Sequence, residues 1–108
     1  MKAVVSKQPG GPETLELVEL ESPTPGPKEV VLEVKAIGVN FPDVLIIQDK
    51  YQFKPERPFS PGGEVSGIVK SVGSDVTNLK AGDRVIGSCG WGGYREELVI
   101  EAARCLSI

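Results

Sequence analysis

Pro61-Gly62-Gly63-Glu64-Val65-Ser66-Gly67-Ile68-Val69-Lys70-Ser71-Val72-Gly73 is the stretch that decides the fold. Pro55, Pro58 and Pro61 forbid regular structure ahead of it, so a loop runs up to Gly62. From Glu64 to Val72 the chain reads as a strand, and Gly73-Ser74-Asp75 reads as a turn. Lys80-Ala81-Gly82-Asp83 is a second turn that leads into a strand at Arg84-Val85-Ile86-Gly87. Beyond it, Gly90-Trp91-Gly92-Gly93 is a glycine loop, and strands are expected over Tyr94 to Ile100 and Arg104 to Ile108.

Upstream the same pattern holds with one exception. Met1 to Lys7 starts as a short apolar run, broken by Pro9-Gly10-Gly11-Pro12. Thr14 to Leu20 alternates apolar and acidic residues, and Pro23 to Pro27 must be an exposed loop. Val30 to Ile37 alternates too, with Leu32, Val34 and Ala36 on one face and Glu33 and Lys35 on the other. The exception is Asn40 to Gln48. Asn40 is a good N-cap, Pro42 is tolerated in a first turn, and Asp43 complements the helix dipole. One short helix among many short strands and close turns gives a mainly β chain, a small, partly open β-barrel.

The chain has 108 residues, enough for one domain and not two. Apolar residues make up 40% and charged residues 25%, ordinary values for a globular protein. The net charge of -3 argues against nucleic acid or an anionic membrane as partner. Cys89 and Cys105 form neither a CxxC pair nor a disulfide framework, so a reduced, cytoplasmic protein is expected. No secretory signal is visible, and the longest aliphatic run, Val44 to Ile47, is far short of a membrane span.

Histidine is absent, which removes histidine-based nucleophile pairs, general bases and metal sites. No stretch satisfies G-x-G-x-x-G or G-x-x-x-x-G-K-[ST]. Gly90-Trp91-Gly92-Gly93 comes closest, but Arg95 stands where the third glycine belongs, so it reads as a tight loop between strands. Any chemistry must therefore come from other residues or from a cofactor held elsewhere.

Two segments carry a family resemblance: Ala36-Ile37-Gly38-Val39-Asn40-Phe41-Pro42-Asp43-Val44-Leu45 followed by Tyr51, and Pro61 to Val69 continuing through Val72-Gly73 to Gly82-Asp83-Arg84-Val85. With Gly10-Gly11-Pro12-Glu13 and Gly92-Gly93-Tyr94, the chain resembles the N-terminal, GroES-like domain of the medium-chain dehydrogenase/reductases, in their quinone-reductase branch. In the zinc-dependent dehydrogenases of that superfamily a Cys stands where Asn40 is, and a His where Gly63 is. Neither replacement is a zinc ligand of the usual kind, and the four-cysteine lobe of a structural zinc is missing. Zinc-independent chemistry is what the resemblance implies.

It further implies a partner Rossmann domain that carries NADPH, an active site in the cleft between the domains, and hydride transfer to a quinone or conjugated carbonyl (enone) acceptor. The parent enzyme is expected to be a homodimer. The Rossmann half has no counterpart here, so the expectation is a catalytic-domain fragment, inactive alone. Two alternatives stay open: a standalone co-chaperonin-like barrel, and a fragment of an enoyl-thioester reductase of the same fold.

Carried over residue by residue, the resemblance places Asn40, Asp43 and Tyr51 at the cleft as candidate catalytic residues. Asn40 combines a cap with contact to the nicotinamide of NADPH or to the acceptor. Asp43 reads more readily as a structural acid in a first turn. Tyr51 either stacks on a flat acceptor or anchors its loop. Gly62, Gly63 and Gly67 serve backbone geometry, Trp91 serves packing or the cleft rim, and Cys89 is an inert small residue. Glu96 and Glu97 are expected on solvated surface.

Overall fold

The computed structural model describes residues Met1–Ile108. Seven strands and one α-helix follow in the order β1 (Lys2–Ser6), β2 (Leu15–Glu19), β3 (Glu29–Ile37), α1 (Phe41–Ile47), β4 (Glu64–Val72), β5 (Arg84–Ser88), β6 (Glu97–Glu101) and β7 (Cys105–Ser107). Single 3₁₀ turns at Pro12–Thr14 and Ala102–Arg104 lead into β2 and β7. The segment from Glu64 to Val72 is indeed a strand, and it is the centre of the molecule. The main sheet is antiparallel in the order β6-β3-β4-β5-β7, and β1 pairs with β2 in a separate ribbon.

The sheet curls. Val30 and Leu32 of β3, Val65 and Val69 of β4, Val85 of β5, Leu98 and Ile100 of β6 and Cys105 of β7 fall into one buried cluster with Leu79 and Ala102. Strands β5 and β6 are not neighbours in the sheet. Yet a Cβ placed on Gly87 of β5 would lie 3.0 Å from Ile100 Cδ1 of β6. Strand β5, next to the edge strand β7, bends toward the β6 edge without pairing with it, which leaves a partly open barrel, as expected. The Cα radius of gyration is 13.6 Å. No helix is long and apolar enough to cross a membrane.

Three local expectations are corrected. In β3 the residues Val30, Val31 and Leu32 are all buried while Ala36 is exposed, because register shifts at Val31/Leu32 and Val34/Ala36 interrupt the alternation. The strand expected from Tyr94 begins only at Glu97. Tyr94, Arg95 and Glu96 instead hold β1 through bonds from the Val4 amide to the Tyr94 carbonyl (2.8 Å) and from the Glu96 amide to the Lys2 carbonyl (3.0 Å). Glu97 is buried rather than solvated: it accepts bonds from Ser22 Oγ at 2.8 Å and Lys70 Nζ at 2.6 Å. Those two partners hold its carboxyl below the usual range, Lys70 contributing most.

Helix α1 packs outside the main core. Ile46 and Ile47 bury themselves with Phe59, against which Leu15 and Tyr51 also pack. The Ser6 amide donates to the Phe59 carbonyl at 2.7 Å, so β1 fixes the proline loop that ends at Pro61. Arg57 ties the same loop to the end of α1 through Asp49 Oδ1 (2.8 Å) and the Ile47 carbonyl (3.0 Å). The start of α1 and the Gly62-Gly63 turn are thereby held side by side.

Candidate functional site

Asn40 sits at the N-cap of α1 with extended backbone (φ -130°, ψ 163°). Asn40 and Asp43 are disposed as a capping box, but only the Asp43 half closes at hydrogen-bond distance. The Asn40 amide donates to Asp43 Oδ2 at 2.9 Å, while the Asp43 amide donates to the Asn40 carbonyl at 3.0 Å. The Asn40 side chain makes no capping bond and is left exposed for other partners.

Asp43 is only 7% exposed and serves three segments at once. Besides Asn40, its Oδ1 accepts the Gly62 amide at 3.2 Å, and its Oδ2 accepts the Tyr94 hydroxyl at 3.2 Å. Gly62 has φ +100°, and a Cβ there would meet Tyr94 Cδ1 at 2.5 Å. Only glycine both tolerates that backbone and leaves room for the ring. Tyr94 is raised to about 12, first by burial and then by the charge and hydrogen bond of Asp43. It is a phenol, not a phenolate, at neutral pH.

A cavity of about 380 Å³ opens beside this knot. Asn40, Pro42, Asp43, Tyr51, Gly63, Glu64, Ser88 and Gly90 line it, so the three residues singled out in the sequence lie on one surface. They are not equivalent. The carboxylate of Asp43 is occupied by its own chain, whereas the Asn40 carboxamide has no capping bond to satisfy it. Tyr51 opens an aromatic series at the cavity: its ring lies 5.7 Å from Phe53 in an edge arrangement, and Phe53 lies 5.8 Å from Trp91. Glu64, Ser88 and Tyr94 were not singled out as site residues. For Tyr94 the Gly92-Gly93-Tyr94 motif was the available signal, but a partner 51 positions away leaves no local pattern.

The chemistry open to this surface is narrow. Burial pushes the Cys89 thiol up, and Sγ donates to the Gly62 carbonyl at 3.3 Å, so it is no ready nucleophile. With no histidine and a protonated Tyr94, the wall is suited to positioning a polar, flat molecule rather than to nucleophilic attack. A larger groove of about 560 Å³ is lined by Tyr94 together with Ala3, Val4, Leu17, Ile37 and Val39. Its lining is mostly apolar and brings none of Asn40, Asp43 and Tyr51 together.

Residues 26–108 match the family described as the alcohol dehydrogenase GroES-like domain. The chain belongs to that family. Among relatives of this GroES-like domain, "Quinone oxidoreductase-like protein 2 homolog" of Nematostella vectensis is 53% identical over 76 residues, covering 69% of the chain and 21% of the relative. "Quinone oxidoreductase 1" of Escherichia coli strain K12 is 47% identical over 77 residues, covering 71% of the chain and 23% of the relative. The solved Escherichia coli quinone oxidoreductase complexed with NADPH superimposes on all of the chain with a TM-score of 0.94 at 37% identity, the chain covering 33% of it. The GroES-like domain thus spans about a fifth to a third of these proteins, which are oxidoreductases of the medium-chain family.

Proposed function

We propose that the chain forms the acceptor-side wall of an NADPH-dependent quinone reductase that works without zinc. One observation carries the reading: Asn40 and Gly63 line the same cavity, at the two positions where the zinc-dependent enzymes would place Cys and His. Neither supplies a thiolate or an imidazole. The carboxamide of Asn40 is exposed and free of a capping bond. It fits the amide of a nicotinamide or a carbonyl oxygen of an acceptor, to which it can donate or from which it can accept.

In this reading NADPH supplies the hydride, and a quinone or conjugated enone receives it. Asn40 orients the carbonyl, and Tyr51 offers a ring face and a hydroxyl. Asp43 and Tyr94 keep the wall rigid, so that the gain comes from held geometry and exclusion of water. The pyrophosphate-binding half is supplied by a Rossmann domain outside this sequence. The similar structure in complex with NADPH supports that cofactor.

The test is a longer protein carrying both halves. It should oxidise NADPH with 1,4-benzoquinone as acceptor, and Asn40→Ala should lower turnover by tenfold or more while NADPH affinity changes little. Elemental analysis should find no stoichiometric zinc. One tightly bound zinc per chain, or Asn40→Ala with full turnover, would sink the proposal.

A further inference from the structure

Two arginines bond to the proline loop or its end, and only one of them is satisfied. Arg57 spends its guanidinium on Ser6 Oγ (3.1 Å), Asp49 Oδ1 (2.8 Å) and the Ile47 carbonyl (3.0 Å). Arg95 has a single partner, the Ser60 hydroxyl, which accepts from Nη2 at 3.1 Å. Its Nε is buried with no partner at all, and it joins none of the molecule's ion pairs. Burial pulls the guanidinium's pKa down, yet an arginine keeps its proton in a protein. A half-buried charge is therefore held here without an opposite one.

Ser60 is unfinished too. It is 1% exposed, and its carbonyl takes the Gly92 amide at 2.7 Å, which fixes it against the glycine loop. Its Oγ accepts from Arg95, while its own hydrogen goes to no protein acceptor. A cation and a buried hydroxyl hydrogen thus meet with no acceptor for either. Both line a second cavity of about 380 Å³, to which Pro58, Phe59, Trp91 and Leu98 contribute apolar surface. It shares no lining residue with the cavity beside Asn40. Its one acid, Glu56, is exposed and pairs with neither arginine.

We infer that this cavity is a binding site for a small organic carboxylate, the anion received by Arg95 and Ser60 and the apolar body by Trp91, Pro58 and Leu98. A carboxylate has two oxygens in a plane, one for the guanidinium and one for the hydroxyl, and it is the planar anion that an arginine fork fits best. A bare inorganic anion would answer the charge but leave the apolar wall uncovered. A neutral molecule of the same shape would leave the charge unanswered. The site does not depend on the reductase reading, because none of its residues belongs to the Asn40 cavity.

Trp91 is the only tryptophan and lines the cavity, so its emission reports binding directly. The 108-residue chain is titrated at neutral pH with cyclohexanecarboxylate, which does not absorb where tryptophan does, and with cyclohexanecarboxamide, acetate and inorganic phosphate. Cyclohexanecarboxylate should saturate, and the other three should bind at least about tenfold more weakly. Arg95→Gln should weaken the carboxylate by about tenfold or more, with circular dichroism checking that it folds. Glu56→Gln, a change at an exposed side chain, should tighten it by removing a competing charge. Several outcomes overturn the inference: no saturation, an equal grip on the carboxamide, unchanged binding by folded Arg95→Gln, or weaker binding by Glu56→Gln. Phosphate or acetate binding as tightly as cyclohexanecarboxylate would also overturn it, because the site would then hold a bare anion only.

Discussion

Asp43 and Asn40 are three residues apart on the same turn, and their predicted contributions to stability are opposite in rank to a simple capping argument. A cap places the weight on Asn40, but its side chain makes no capping bond, while Asp43 accepts three from Asn40, Gly62 and Tyr94. Asp43→Ala leaves two backbone amides and a phenol without their acceptor, a loss of about 3 kcal/mol. Asn40→Ala should cost less than about 0.5 kcal/mol, below the usual value for a working cap. Urea unfolding of both variants checks the order, and equal losses would show that Asn40 caps after all. Tyr94 gives a second prediction at this scale. Its folded-state value of about 12 lies above that of an exposed tyrosine, so the folded state holds the proton more tightly. Its contribution is complete below about pH 10 and is lost as the pH rises from about 10 to 12. Wild-type stability should fall more steeply across that window than that of Tyr94→Phe, and parallel curves would refute the link. The sequence exposed the candidates Asn40, Asp43 and Tyr51 through local motifs. It could not expose the division of labour among them, which depends on Tyr94 and Gly62 arriving from elsewhere in the chain.

Strands β3 and β4 approach closely at Gly67, inside the segment 61–73. A Cβ there would stand 2.4 Å from the Glu33 carbonyl oxygen and 3.3 Å from Val34 Cα, next to the irregular register at Val34/Ala36. The obstacle is backbone, which cannot swing aside. Gly67→Ala should therefore cost about 2–3 kcal/mol through overpacking, although alanine suits a strand no worse than glycine. Ser66→Ala, one position away, is the control and should stay within about 0.5 kcal/mol. Thermal unfolding of the pair decides it; a Gly67→Ala variant as stable as wild type would mean that the strands part freely. This contact also marks how far the fold was legible. Turn residues and alternation located every strand, because glycine, proline and period-2 patterning are local signals. The β3 bulges, the late start of β6 and the burial of Glu97 were hidden, since each is set by a partner distant in sequence: β4, β1, and Ser22 with Lys70.

At the scale of the whole molecule, the arrangement of polar and apolar surface separates what this chain can do from what its family does. Leu17, Val39, Phe41 and Leu106 are each about 70% exposed or more, and the edges β6 and β7 lack outer partners. Concentrated protein should accordingly bind an apolar dye and self-associate weakly; sedimentation showing a strict, dye-negative monomer would contradict this. Cofactor binding is the sharper test. A dinucleotide is gripped mainly by its pyrophosphate, which needs free backbone amides at a helix N-terminus behind a glycine turn. The single α-helix here, Phe41–Ile47, cannot serve: Pro42 has no amide hydrogen, the Asn40 amide is already bonded to Asp43, and the Asp43 carboxylate would repel a phosphate. The glycine loop around Trp91 has no helix after it and spends the amides of Gly92 and Gly93 on Ser60 and Gly62. In the proposed reading, what remains for NADPH is the nicotinamide end, met by Asn40 in an open cavity. One such contact cannot offset the entropy of fixing so large a ligand. Calorimetry of the 108-residue chain with NADPH should show no binding at micromolar concentrations, and micromolar affinity would mean that the chain holds the pyrophosphate by a surface other than a helix N-terminus.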